Sequence, residues 1–143
     1  MSNQNPLQIA LLGLGTVGTG VAIILRKTAD LLAKRAGRPL RLAKVLYKDP
    51  HKKRETALSP DQLAASLDEI LNDPAIDVVV EVAGGTTWAF DAMASALKHG
   101  KDVVTANKAV LATRGKELFD IARAHRRCVA QSAADATRDR SAD

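Results

Sequence analysis

Leu7-Gln8-Ile9-Ala10-Leu11-Leu12 runs directly into Gly13-Leu14-Gly15-Thr16-Val17-Gly18, and the reading of this junction decides the fold. The first six residues are a short, nearly continuous apolar run, which suits a strand buried on both faces in a parallel sheet. Beyond the glycines, Val17, Val21, Ile24, Leu25, Leu31 and Leu32 recur at helical spacing, with Lys34 and Arg35 near the end and Gly37 and Pro39 as a stop. The hexapeptide is G-x-G-x-x-G placed between a strand and a helix, and each glycine has its own task. Gly13 permits the tight turn, Gly15 lets a pyrophosphate approach the backbone, and Gly18 lets the helix pack close to the strand. Unpaired N–H groups at the helix start face the dianion, with the favourable end of the helix dipole behind them.

Working outward, Leu40–Tyr47 places Leu40, Leu42, Val45 and Leu46 in a second strand, followed by a charged loop over residues 48–55. Ser59-Pro60-Asp61 starts a predicted helix with Leu63, Leu67, Ile70 and Leu71 on one face, broken at Asn72-Asp73-Pro74. Ile76–Val82 is a third strand ending at Gly84-Gly85. A helix follows from Thr86 to His99, closed by Gly100, with Phe90, Met93 and Leu97 inward. Asp102–Thr105 is a fourth strand, Arg114–His125 a further helix, and Val129 the start of a fifth strand. Strands alternating with helices imply right-handed crossovers and a doubly wound parallel α/β sheet of Rossmann type, with four or five strands and helices on both faces. Residues 1–130 form the dinucleotide-binding domain, and 131–143 read as a polar tail without fixed structure.

Composition narrows the alternatives. A chain of 143 residues is one domain's worth, and 46% hydrophobic with 26% charged residues excludes global disorder. The balance of 21 Lys+Arg over 16 Asp+Glu, a formal +5, favours polyanionic partners. Aromatics make up only 3%, so the stacking platform of a single-strand nucleic-acid binder is missing. Lone Cys128 forbids an intrachain disulfide or a Cys-rich metal site and reads as a small half-buried thiol. His51, His99 and His125 form no spaced ligand set, so no metal site is expected. Polar Met1–Pro6 lacks the features of a secretory signal, and no apolar run is long enough to span a bilayer. The expectation is a cytoplasmic protein with a small-molecule cofactor and neither a nucleic-acid nor a membrane partner.

The tip of the second strand bears on which dinucleotide binds. An acid there would grip a free ribose 2′-hydroxyl, but the strand ends in Lys48, with Lys52, Lys53 and Arg54 beyond. Lys48 can pair with a 2′-phosphate, which favours NADP over NAD, while Asp49 argues the other way.

Three further segments carry a family resemblance. Ile76-Asp77-Val78-Val79-Val80-Glu81-Val82-Ala83-Gly84-Gly85-Thr86, then Gly100-Lys101-Asp102-Val103-Val104-Thr105-Ala106-Asn107-Lys108-Ala109-Val110-Leu111-Ala112, then Gly115-Lys116-Glu117-Leu118-Phe119 resemble, with Gly13–Gly18, the nucleotide-binding domain of homoserine dehydrogenase over about residues 7–127. The Thr105-Ala106-Asn107-Lys108 match is the specific part. The resemblance implies NAD(P)-dependent interconversion of L-homoserine and L-aspartate 4-semialdehyde, on the route to threonine and methionine. It places Gly13, Leu14, Gly15, Thr16, Val17, Gly18, Lys48, Gly84, Gly85, Thr86, Thr105, Ala106 and Asn107 around the cofactor. Lys108 by context alone reads as a surface lysine after a strand; by resemblance it is the active-site lysine, beside the transferred hydride. Glu81 is a strand-end carboxylate near the crevice, open to a site role or to simple hydrogen-bond acceptance.

After Val129 the chain departs from the family. Ala130–Arg138 lacks the acidic, Gly-rich continuation that helps form a cation site, and the substrate domain has no counterpart. The expectation is a cofactor-binding fragment inactive alone, which meets substrate only where a substrate domain is supplied. The alternative is a stand-alone NADP-binding sensor or interaction module.

Overall fold

The computed structural model describes residues 6–13, 37, 40–46, 60–82, 86–105 and 107–131. Within them a five-stranded parallel sheet runs β2-β1-β3-β4-β5, where β1 is Leu7–Leu12, β2 Leu40–Leu46, β3 Val78–Glu81, β4 Asp102–Thr105 and β5 Val129–Gln131. The helices are α1 (Leu67–Leu71), α2 (Thr87–Lys98) and α3 (Lys108–Ala124). The chain steps outward from β1 to β2, then returns across β1 to β3 and continues in that direction. The order therefore reverses between β1 and β3, the kind of switch point at which open α/β sheets leave a crevice at their carboxyl ends.

Strand alternation divides the core into two layers. Ala10, Leu12, Val79 and Val103 face one side with Ile70 and Leu71 of α1, Phe90, Met93 and Leu97 of α2, and Val110, Leu118 and Ala122 of α3. Ile9, Leu11, Val45, Val78 and Val80 form the other layer. The helix expected on that second side, from Val17 to Arg35, lies outside the described residues, as do the charged loop 48–55 and residues 132–143. Burying Phe90, Met93 and Leu97 contributes roughly 1.5–3 kcal/mol each.

β2 explains an irregularity in its own sequence. Its register against β1 shifts between Ile9 and Ala10, so that Ile9 opposes Leu42 and Ala10 opposes Lys44. The extra residue, Ala43, changes the parity of the strand: Leu42 and Val45 share one core layer although they are three positions apart, while Ala43 and Leu46 turn to the other.

Elsewhere the structure corrects the sequence reading. The single helix expected from Ser59 is two short pieces, a 3-10 turn at Pro60–Gln62 and α1. Between them the chain docks on β2: Ala64 N donates to Val45 O at 2.8 Å, Gln62 Nε2 to Leu42 O at 2.9 Å, and Leu63 bridges to Val45. A side-chain cap then restarts the helix, Ser66 Oγ accepting from Glu69 N, while Glu69 Oε1 accepts from Ala65 N, just before the cap, at 3.1 Å. The last helix begins at Lys108 rather than Arg114 and carries non-helical angles at Arg114. Thr113 Oγ1 donates back to Ala109 O, a bond that bends helices, and the Arg114 guanidinium stacks 3.5 Å over the Phe90 ring while pairing with Glu117. Cys128, expected to be half-buried, is exposed. No helix among the described residues is long and apolar enough to cross a membrane.

Candidate functional site at the carboxyl edge of the sheet

β1, β3 and β4 deliver their last residues to one edge. Gly13, at φ 83°, turns the chain out of β1 while its N–H donates to Leu46 O at 2.7 Å, anchoring the turn to the end of β2. A side chain there would be forced into the left-handed region, so the position suits glycine. Next to it, Val82 N donates to Leu12 O at 3.1 Å and ties the exit of β3 to the exit of β1. α2 then starts at Thr86 with no side-chain cap on its first N–H groups.

The register of β3 against β4 places Glu81 directly opposite Thr105, both on the side that carries α2 and α3 and both with no exposed surface. Thr105 Oγ1 donates to Glu81 Oε1 at 2.9 Å and accepts from Asn107 N at 2.9 Å. Asn107 Oδ1 in turn accepts from Val110 N at 3.1 Å and so caps α3. Lys108 is the first residue of that helix and is exposed. An ammonium at a helix N-terminus opposes the helix dipole, at a cost of roughly 0.3–1 kcal/mol. The helix dipole therefore gives no reason for a lysine at this position.

These features fit a dinucleotide by the chemistry of the donors: a glycine turn between parallel strands, a helix start without a side-chain cap, and a cation at the next helix start, all on the crevice side of a switch point. Among the described residues no group of His, Cys, Asp and Glu could hold a metal ion.

The family described as "Homoserine dehydrogenase, NAD binding domain" matches residues 13–131. The chain belongs to the homoserine dehydrogenase NAD-binding-domain family. A homoserine dehydrogenase of Pseudomonas aeruginosa is 40% identical over 120 residues, covering 84% of this chain and 27% of that protein. One from Bacillus subtilis is 42% identical over 113 residues, covering 79% of this chain and 26% of its own length. The crystal structure of a homoserine dehydrogenase from Thiobacillus denitrificans superposes with a TM-score of 0.83 at 36% identity, over 94% of this chain and 31% of that one. The chain thus spans about a quarter of the length of the curated homoserine dehydrogenases it matches.

Of the residues that the sequence assigns to the site of this homoserine dehydrogenase domain, Gly13, Thr86, Thr105, Asn107 and Lys108 stand at the carboxyl edge, at or just beyond the ends of β1, β3 and β4. Leu14, Gly15, Thr16, Val17, Gly18, Lys48, Gly84, Gly85 and Ala106 lie outside the described residues. Glu81 accepts a hydrogen bond from Thr105 Oγ1 at its strand end. Its link through Thr105 to Asn107 escaped sequence reasoning, because strand register is invisible in a single chain segment.

One buried cation also escaped it. Lys101 is 2% exposed and donates from Nζ to Asp73 O at 2.7 Å and Ile76 O at 2.9 Å. Burial lowers its pKa, with Asp73 and Asp77 pulling the other way. Lys101 precedes β4 and so belongs to the opposite, amino edge, where Gln8 N donates to Asp77 Oδ2 and Cys128 N to Asp102 Oδ1. It secures the turn before β3 and plays no part at the carboxyl edge.

Proposed function

We propose that this chain binds a nicotinamide dinucleotide at the carboxyl edge of its sheet, NADP in preference to NAD, as the cofactor half of a homoserine dehydrogenase interconverting L-homoserine and L-aspartate 4-semialdehyde. The observation that carries the reading is the convergence of Gly13, Thr86, Asn107 and Lys108 at the strand ends beside the switch point, within a stretch that matches the family from residue 13 to 131.

In this reading Gly13-Leu14-Gly15-Thr16-Val17-Gly18 cradle the diphosphate with backbone N–H groups. Lys48 takes the 2′-phosphate. Gly84, Gly85, Thr86, Ala106 and Asn107 border the crevice, and Thr105 supports its wall. The bound nicotinamide supplies or accepts the hydride exchanged with the aldehyde carbon. Lys108 places its ammonium where alkoxide charge develops, which stabilises that charge most strongly where water is excluded. An exposed lone Cys128 suits a reducing, cytoplasmic compartment.

Trp88, the single tryptophan, sits half-exposed in the first turn of α2, so its fluorescence reports on this edge. Titration with NADPH and NADH should quench it, with the tighter constant for NADPH. Absence of binding by either nucleotide overturns the proposal. An accompanying assay of aspartate-semialdehyde reduction assigns the chain to cofactor capture if binding occurs without turnover.

A further inference from the structure

We propose that Glu81 and Thr105 are positioning residues: together they set the start of α3, and with it the place of Lys108 at the carboxyl edge. The inference rests on the nucleotide-binding reading above and deepens it, giving Thr105 and the buried Glu81 a role that needs no contact with the cofactor.

The hydroxyl of Thr105 has one proton to give, and it goes to Glu81 Oε1 at 2.9 Å. Its lone pairs are thereby left to meet the Asn107 N–H, which they do at 2.9 Å. Held there, Asn107 accepts from Val110 N through Oδ1 and from Leu111 N through its carbonyl, at 3.1 and 3.3 Å. The relay thus has a direction, from a carboxylate in β3 through a hydroxyl in β4 to the first turn of α3. It crosses the sheet because the register pairs Glu81 with Thr105.

Packing alone does not account for Glu81. β3 reads Val-Val-Val-Glu and the carboxyl group is fully buried, where an apolar side chain of similar volume is often neutral or stabilising. What an apolar residue could not do is fix the rotation of the Thr105 hydroxyl. The helical segment so placed is short, because Arg114 interrupts α3 after Thr113. Lys108 therefore takes its position from the cap at Asn107 more than from the length of the helix behind it.

The test uses the whole chain with Thr105→Val, which removes the hydroxyl, Thr105→Ser, which keeps it, and Glu81→Leu, which removes the acceptor at similar volume. Amide hydrogen exchange is read by NMR without nucleotide. In Thr105→Val the amides of Asn107, Val110 and Leu111 should exchange about tenfold faster, the scale of one lost hydrogen bond, while those of Ala10 and Val79 hold. Binding is then read with NADPH and with ADP, which lacks the nicotinamide. NADPH should weaken by about tenfold and ADP by less than about twofold, with Thr105→Ser restoring both readouts.

If Thr105→Val does not fold, Glu81→Leu, which leaves the Thr105 hydroxyl without its acceptor, should show the same pattern with a smaller amplitude. Unchanged exchange at Asn107 and Val110, equal losses for NADPH and ADP, or failure of serine to rescue would each overturn the proposal. If the native chain binds neither nucleotide, the proposed function fails separately, and the exchange measurement still decides the relay.

Discussion

Gly13 and Gly100 share a backbone conformation but lead into different segments of the chain, and that difference yields a sharp prediction. Gly13 has φ 83° and Gly100 φ 81°. Gly100 ends α2 in a Schellman arrangement, its N–H donating to Leu97 O and the N–H of Lys101 to Ala96 O, and a Cβ added there meets nothing within 4 Å. Alanine at either position takes on the left-handed penalty of roughly 1–2 kcal/mol. The unfolded chain loses entropy in the same exchange, which returns about 0.4–1 kcal/mol. A net loss of about 1 kcal/mol is therefore expected from each, lowering the melting temperature by about 3–5 °C. Nucleotide affinity should separate the two variants. Gly100→Ala should leave it within about twofold, whereas Gly13→Ala displaces the turn that leads into residues 14–18 and should weaken NADPH by more than about tenfold, ~1.4 kcal/mol. Urea denaturation and isothermal titration of both proteins give the comparison. Equal affinities in two equally destabilised variants would refute the placement of the diphosphate at the end of β1.

Three other perturbations concern particular residues. Arg126 holds the position after α3 that Gly100 holds after α2, but at φ 57° with a side chain, so Arg126→Gly should stabilise the fold by about 1 kcal/mol, measured as a raised urea midpoint. Lys101→Met leaves the carbonyls of Asp73 and Ile76 without their Nζ partner and should destabilise by roughly 1–2 kcal/mol near neutral pH. Because the folded pKa of Lys101 lies below 10.5, the unfolded chain binds more protons between that lowered value and 10.5, and wild-type stability should rise with pH across this window relative to Lys101→Met; midpoints at several alkaline pH values check the sign. Lys48→Glu should weaken NADPH more than NADH by titration, and equal losses would remove the reason for preferring NADP.

How far the sequence could be read depended on whether a signal was local. The apolar runs Leu7–Leu12 and Val78–Val80 and the glycine stops after them are local, and the strands they imply stand where expected. The start of α3 was hidden because Lys108–Thr113 holds only Val110 and Leu111 as large apolar residues, and its signal is instead the Asn107 cap. The helix expected from Ser59 failed for a tertiary reason, since backbone bonds to β2 outcompete continuation through Leu63. Lys48, Gly15 and Gly18 rest on sequence alone. The sequence puts Thr105 and Asn107 at the cofactor by resemblance and Glu81 near the crevice, but the hydrogen bonds that join the three depend on the β3–β4 register, which no single segment shows. Lys101, immediately before β4, gave no sign that burial would enclose its ammonium.

The central claim is that the dinucleotide sits at the carboxyl edge of this sheet, across the switch point between β1 and β3. Mapping amide shift changes during NADPH titration tests it most directly. Perturbations should concentrate at Gly13, Val82, Thr86, Asn107 and Lys108, with Asp77, Lys101 and Asp102 at the opposite edge unmoved; changes centred on that amino edge would contradict the claim.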